Sequence, residues 1–272
     1  MIVLFTDFGL TGPYTGQVKA VLRRLAPQVD IIDLFADAPA CNPRAAAYLL
    51  AAFAVEFPPG VVFLCVVDPG VGGPRVPGVL LADGRWYVGP ENGLFELIIR
   101  RARETPRWWH ITWRPERLSP TFHGRDLFAP TAAHIARDGA AGGREHPIDE
   151  IRRSQWPDDA AEVIYVDVYG NAMTGLRASI VPPTACLDVA GTTLEHASTF
   201  SDVHEGRAFW YENANGMVEI AVNMGRAADI LGLSIGTPVT IRDVGSGGAS
   251  VHMNKHGSPT VASDPPTRQR NH

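Results

Sequence analysis

Val61-Val-Phe-Leu-Cys-Val-Val-Asp-Pro-Gly-Val-Gly-Gly-Pro-Arg75 sets an apolar run, a carboxylate, a turn rich in glycine and proline, and a guanidinium in succession. An unbroken apolar run bounded by turn residues is what a parallel strand covered on both faces requires. Val61 to Val67 is therefore expected to be a strand, with Asp68 at its carboxyl end. In open α/β sheets ligands bind beyond that edge, so a carboxylate there is a better site candidate than one on a helix surface. The turn from Pro69 to Pro74 can aim Arg75 back at Asp68. Two readings stand: a functional pair, or a structural turn closed by an ordinary ion pair.

Working outward, residues 1 to about 138 alternate short β-rich runs with helical stretches, the sign of an α/β domain with a mostly parallel sheet. Strands are expected at Ile2 to Phe5, Val29 to Leu34, Val79 to Ala82, Trp86 to Val88 and Trp108 to Trp113. Helices are expected near Tyr14 to Leu25, Arg44 to Glu56, Leu94 to Arg103 and Pro130 to Arg137, and Asp83-Gly84 reads as a hairpin turn. The glycine-rich stretch Gly139 to Pro147, continuing to Asp159, reads as a linker. Beyond it, short strand-like runs separated by Gly, Asn and Pro turns, with one helical piece at Arg226 to Leu231, suggest a small β-rich barrel or sandwich. The expected organisation is an α/β domain over 1–158, a smaller β domain over 159–244, and a disordered tail over 245–272 whose few apolar residues cannot offset the entropy of ordering.

Composition narrows the function classes. With 45% hydrophobic and 19% charged residues and a net charge of −5, the chain advertises no basic surface for nucleic acid or anionic membrane. No run approaches transmembrane length, and Met1-Ile-Val-Leu-Phe5 runs straight into Thr6-Asp7 as a strand would, not as a signal peptide. The three cysteines, Cys41, Cys65 and Cys186, are far apart and odd in number, which points to reduced thiols in a cytoplasm.

Several other residues could carry chemistry. Asp7, at the end of the first strand, is suited to accept hydrogen bonds from both hydroxyls of a ribose, with Phe8 or Tyr14 near enough in sequence to cover a sugar or base. Alternatively, Asp7 caps the helix that follows. Asn92, in Glu91-Asn-Gly93, is a weaker candidate within a turn. Asp167-Val-Tyr-Gly-Asn171 and Trp210-Tyr-Glu-Asn-Ala-Asn-Gly216 each join an aromatic ring to amides, which suit the amino-acid end or the base edge of a ligand. Asn215-Gly216 is equally a hairpin signal. His123, in Phe122-His-Gly-Arg-Asp126, is either structural or functional. A metal site on His123 and Asp126 lacks a second ligand pair, so no metal is expected. Gly70-Val-Gly-Gly73 lacks the Lys-Ser or Lys-Thr of a phosphate-binding loop.

Thr6-Asp-Phe-Gly9, Val67-Asp-Pro-Gly-Val-Gly72 with Arg75, Gly89-Pro-Glu-Asn-Gly93, Phe122-His-Gly-Arg-Asp126, Tyr169-Gly-Asn171, and Tyr211-Glu-Asn213 through Ala221-Val-Asn223 stand in order along residues 1 to 244. Together they resemble the S-adenosyl-L-methionine (SAM) hydroxide adenosyltransferases, relatives of the SAM-dependent fluorinase and chlorinase. The resemblance implies an α/β domain followed by a β-barrel domain, and a homotrimer whose active sites lie between subunits. It implies hydrolysis of SAM to adenosine and L-methionine, with SAM as substrate and no cofactor. The catalytic set falls on Asp68, Arg75 and His123. Asp7 takes the place of a ribose ligand, and Phe8, Asn92, Asp167, Tyr169, Asn171, Tyr211, Asn215, Val222 and Asn223 line the remaining substrate positions.

The sulfonium is already a good leaving group, so such an enzyme mainly has to place a water in line and strip its shell. A normal aspartate and bulk water differ by about 12 pKa units, on the order of 16 kcal/mol, so free hydroxide made beforehand is out of reach. Asp68 is expected to take the proton as the bond forms, with Arg75 paired to it and His123 orienting the water or relaying its proton. Halide enzymes of this kind have uncharged residues where Asp68 and His123 stand, which suits an anionic nucleophile. Three departures bear on methionine: Gly12 stands where an acidic residue is common, Cys41 replaces an aromatic residue, and the turn from Asp167 to Asn171 is one residue shorter. The competing functions are a catalytically silent SAM or adenosine sensor and a chlorinase. A methyltransferase fits less well, because no glycine-rich turn follows the first strand.

Overall fold

The computed structural model describes residues 1–242 and the strand backbone of 250–253 and 259–261. The chain divides into two compact units, Met1–Arg153 and Ser154–His272.

The first unit is built on a seven-stranded sheet. Its elements in order are β1 (Ile2–Thr6), α1 (Tyr14–Leu25), β2 (Ile31–Phe35), α2 (Pro43–Phe53), β3 (Val62–Val66), β4 (Pro77–Ala82), β5 (Arg85–Pro90), α3 (Glu96–Arg101), β6 (Arg107–His110), α4 (Ala129–Asp138) and β7 (Arg144–His146). The sheet order is β2-β1-β3-β5-β4-β6-β7. β2, β1, β3 and β5 pair in parallel, whereas β4, β6 and β7 join antiparallel, so the sheet is mixed where a mostly parallel one was expected. The reason is the tight Asp83-Gly84 turn: both residues have positive φ and send β5 straight back along β4.

Alternation divides the central strands between two cores. Ile2, Leu4, Val62, Leu64 and Val66 pack with Val18 and Leu22 of α1 and with Ala129, Ala132 and Ala133 of α4. Phe5 faces the other way and meets Phe35, which meets Phe53 at the end of α2, at ring distances of 5.4 and 5.0 Å. β1 therefore connects to β2 across one face, and β2 connects to β3 across the other. Strand order reverses between β1 and β3, and the carboxyl ends of these two strands flank the crevice where such sheets bind ligands.

The stretch read as a linker belongs to this unit as far as Arg153. Arg144–His146 forms an edge strand on β6, with Arg107 and Glu145 paired across it at 2.6 Å. An edge strand is held by backbone bonds and needs no apolar alternation, so its sequence gives little sign of it. Buried Glu96 then ties down the end of the unit, accepting from Arg100 Nη2 at 2.6 Å and from the Arg153 backbone N–H at 2.7 Å.

The second unit contains β8 (Ala160–Val166), β9 (Ala172–Arg177), β10 (Cys186–Val189), β11 (Thr192–Leu194), β12 (Ala208–Glu212), β13 (Met217–Val222), α5 (Ala227–Leu231), β14 (Val239–Arg242), β15 (Ser250–Met253) and β16 (Pro259–Val261). These form two antiparallel sheets, β12-β13-β9-β8 and β11-β10-β14-β15-β16. A core of Val163, Leu176, Leu187, Trp210, Val218, Ile220 and Ile241 draws on both. The sheets meet at isolated bridges, Glu162 to Pro238 and His196 to Trp210, without a closed barrel of strand pairing among the described residues. Where a disordered tail was expected over 245–272, the backbone of 250–253 pairs with β14 and that of 259–261 pairs with 250–253. Backbone pairing at an open edge requires little apolar surface. The rest of that expectation lies outside the described residues.

Candidate active site

Asp68 stands two residues beyond β3, and Asp7 stands one residue beyond β1. β1 and β3 are paired with Thr6 opposite Val66, so the two carboxylates share one end of the crevice. Arg75 Nε donates to Asp68 Oδ1 at 2.9 Å and to Oδ2 at 3.0 Å, and its Nη2 donates to Oδ2 as well. The same Nη2 lies 2.9 Å from His123 Nδ1. Both side chains of the pair are buried, with 9% of Arg75 and 4% of Asp68 exposed, so this is not a solvated surface ion pair. Arg75 also lies over the Phe128 ring at 5.3 Å. Its Nη1 is buried and has no partner among the described residues.

The geometry fixes the imidazole. Guanidinium hydrogens only donate, so Nδ1 of His123 must accept, and a neutral ring then carries its hydrogen on Nε2. Burial, and then the Arg75 charge, hold His123 below the ordinary imidazole range, which favours that neutral form. Gly72 makes the approach possible. It adopts φ +77°, and a Cβ there would lie 2.5 Å from the Pro120 carbonyl oxygen, so a side chain would push apart the loops that carry Arg75 and His123.

Asp7 Oδ2 accepts from the Cys41 backbone N–H at 2.9 Å. Cys41 holds φ +54°, a left-handed conformation uncommon for a residue other than glycine. Burial pushes the Asp7 carboxyl up, with a smaller push from the Asp68 charge. Phe8, Tyr14 and Phe122 form an edge-on aromatic cluster with ring distances of 5.5 to 6.2 Å. Asn92 is turned to the backbone: Nδ2 donates to the Val67 carbonyl at 2.8 Å, and Oδ1 accepts from Leu94 N–H at 3.2 Å. It thus holds the strand end that presents Asp68.

His123 and Asp126 do not form a ligand pair. Asp126 accepts from Arg125 at 2.6 Å and from the Ser119 N–H at 2.9 Å. Elsewhere His110, His146 and Glu150 come together, but the two imidazoles stack at 3.4 Å with only 15° between their planes. Rings so stacked cannot both point an in-plane lone pair at one ion.

The second unit contributes an open cleft of about 720 Å³, lined by Asp167, Tyr169, Asn171, Phe200, Tyr211, Val222, Asn223, Met224, Gly225 and Arg226. Six of the seven expected second-unit residues line it. Asn215 does not: it sits in the hairpin turn between β12 and β13, its backbone N–H held by Asn213 Oδ1 at 3.0 Å. Asp167 receives the Asn171 backbone N–H at 2.8 Å and Asn171 Nδ2 at 3.2 Å, closing the short turn. Asn223 is bound to its own surroundings, Nδ2 to the Val203 carbonyl at 2.6 Å and backbone N–H to the Arg207 carbonyl at 3.1 Å. Sequence reading missed Glu219, a buried carboxylate that accepts from Tyr211 Oη at 2.9 Å and Asn213 Nδ2 at 2.7 Å. Its only sequence signal is a charged residue within the apolar run Met217-Val-Glu-Ile-Ala-Val222.

Residues 2–143 match the SAM hydroxide adenosyltransferase N-terminal domain, and residues 161–240 match the C-terminal domain of the same family. The chain belongs to the SAM hydroxide adenosyltransferase family. It is 38% identical to the (R)-S-adenosyl-L-methionine hydrolase of Thermus thermophilus over 261 residues, which cover 88% of this chain and 98% of the relative. A fluorinase of Nocardia brasiliensis is more distant, at 25% identity over 89% of this chain and 96% of its own. Among solved structures, an uncharacterized conserved protein from Thermotoga maritima superposes with a TM-score of 0.79 at 31% identity, covering 89% of this chain and all of that one. No helix among the described residues is long and apolar enough to cross a membrane.

Proposed function

We infer that this family member hydrolyses S-adenosyl-L-methionine to adenosine and L-methionine by attack of water on the ribose 5′ carbon. The observation that carries the reading is the buried chain of bonds from Asp68 through Arg75 to His123 at the crevice between β1 and β3. In the proposed step the water oxygen bonds to C5′ as the C5′–S bond breaks, its electron pair going to sulfur to give the neutral thioether of methionine. The water proton goes to Asp68. His123 is not the acceptor, because its Nδ1 faces Arg75 and its Nε2 carries a hydrogen. It donates that hydrogen to the water oxygen and so turns the water's own proton toward Asp68. A carboxylate beside the nucleophile repels chloride or fluoride and accepts from water, which favours water.

Asp7 is proposed to hold the ribose hydroxyls, and Phe8 to cover the sugar. The cleft of the second unit is proposed to hold the rest of SAM, with no cofactor. A homotrimer with sites shared between subunits is part of this reading. It is supported by exposed apolar residues around both candidate sites: Leu10 and Tyr14 near Asp7, and Val168, Tyr169 and Met224 around the cleft. The free cysteines Cys41, Cys65 and Cys186 suit a cytoplasmic setting.

The test is incubation of purified protein with SAM, with and without chloride, following nucleosides by chromatography. The name of the Thermus relative specifies the (R) form, so both sulfonium epimers belong in the assay. Adenosine without halide supports hydrolysis. Bound SAM without product marks a sensor, and a halogenated nucleoside overturns the water assignment.

A further inference from the structure

Glu219 sits in the middle of β13, buried, behind the cleft that lies in front of Tyr211 and Asn171. It forms no ion pair among the described residues, and neither does Asp167. The one basic side chain lining the cleft, Arg226, is turned to Asp229 and to the Val168 carbonyl, each at 2.7 Å. Asp167 in the wall and Glu219 behind it thus stand without a cation between them, and burial, then the Asp167 charge, pushes the Glu219 carboxyl up.

The hydrogen-bond directions decide what the wall can recognise. Tyr211 gives its hydroxyl hydrogen to Glu219 Oε1, so toward the cleft its oxygen offers only lone pairs. Asn171 Nδ2 donates to Asp167 Oδ2 at 3.2 Å, which leaves the amide oxygen Oδ1 as its free group. The wall of Asp167, Asn171 and Tyr211 is therefore made of acceptors. A group rich in hydrogens and positively charged complements it, and a neutral or acceptor-rich group does not.

We propose that Glu219 is a positioning residue for substrate: by taking up the hydroxyl hydrogen of Tyr211, as Asp167 takes up that of the Asn171 amide, it makes the cleft wall acceptor-only and selects the α-ammonium end of S-adenosyl-L-methionine. The proposal rests on the hydrolase reading for its substrate and adds a residue that reading does not use.

The test compares wild type, Glu219→Gln and Tyr211→Phe on SAM and on its desamino analogue, which has hydrogen in place of the α-ammonium group. Glutamine matches the shape of the buried side chain but brings two hydrogens of its own, and Tyr211→Phe removes the hydroxyl from the other side of the same bond, and with it one acceptor of the wall. For Glu219→Gln, kcat/KM on SAM is expected to fall about tenfold or more, mostly through KM, since a hydrogen bond to a charged group is worth that much. On the desamino analogue the change is expected to stay within about threefold, so the preference for SAM narrows, and Tyr211→Phe narrows it in the same direction. Equal losses on both substrates, or an unchanged preference, would overturn the proposal and leave Glu219 a structural residue. If wild type releases no adenosine from SAM, the hydrolase reading falls instead. The dissociation constants of SAM and the analogue, measured by calorimetry on the same proteins, then decide the Glu219 proposal by the same ratio.

Discussion

Replacing Arg75 by lysine separates the geometry of the site from its charge. Alanine would leave Asp68 buried and unpaired, a loss of about 3–5 kcal/mol that threatens the fold itself. Lysine keeps a cation beside Asp68 but has one nitrogen where the guanidinium has a fork. Nε and Nη2 together reach both Asp68 oxygens, and Nη2 reaches His123 Nδ1 as well. An ammonium bound to Asp68 gives up the His123 contact, and the imidazole is then free to carry its hydrogen on Nδ1 or to rotate. A charge-assisted hydrogen bond of this kind is worth about 1.5–3 kcal/mol, so kcat is expected to fall roughly 10- to 100-fold. KM for SAM should change far less, because the contact is with the nucleophile's partner and not with the substrate. Single-turnover adenosine release, with circular dichroism to confirm an intact fold, measures both. A variant that folds and keeps kcat within about threefold of wild type would refute the argument that Arg75 fixes the His123 tautomer.

Two further outcomes follow from the same geometry. Asp68→Asn should lower kcat by about 100- to 10,000-fold, the range for a proton acceptor, with a much smaller change in SAM affinity; equal losses in both would make Asp68 a substrate ligand. His123 must be neutral for Nδ1 to accept from Arg75, and burial and Arg75 hold its pKa below the ordinary value of about 6.5. The acid limb of the kcat profile should therefore lie below that value, with activity lost as pH falls through it. The stability contributed by neutral His123 has the same sign: it is present above the unfolded imidazole pKa and is lost as pH falls through the depressed one. An acid limb above pH 7 in kcat would contradict the assignment.

Much of the candidate site's geometry was legible because its residues lie in short stretches next to strand ends and glycine turns. Val61 to Val67 announced β3 by its apolar run, and the turn that follows could bring Arg75 to Asp68 only by doubling back. Distance in sequence hid more. Nothing local places His123 beside Arg75, 48 residues away; that contact depends on the approach of Gly72 to Pro120. The strand Arg144–His146 escaped because an edge is held by backbone bonds that leave no apolar pattern. The antiparallel half of the sheet follows from the Asp83-Gly84 hairpin, which was legible; that β5 and not β4 lies beside β3 was not. In the second unit, Asp167 and Asn171 were readable as a polar turn, whereas Asn215-Gly216 carried both a polar and a hairpin signal, and the structure puts Asn215 in a hairpin that does not line the cleft. Glu219 lay unnoticed because hydrogen-bond direction, and not residue type, gives it a role.

The central claim is that a water held by Asp68, Arg75 and His123 displaces methionine at the ribose 5′ carbon. A single turnover in water enriched in oxygen-18, with mass analysis of the released nucleoside, tests it directly. One labelled oxygen in the 5′-hydroxyl of adenosine is the result expected; adenosine released without label, or label found in methionine, would contradict it.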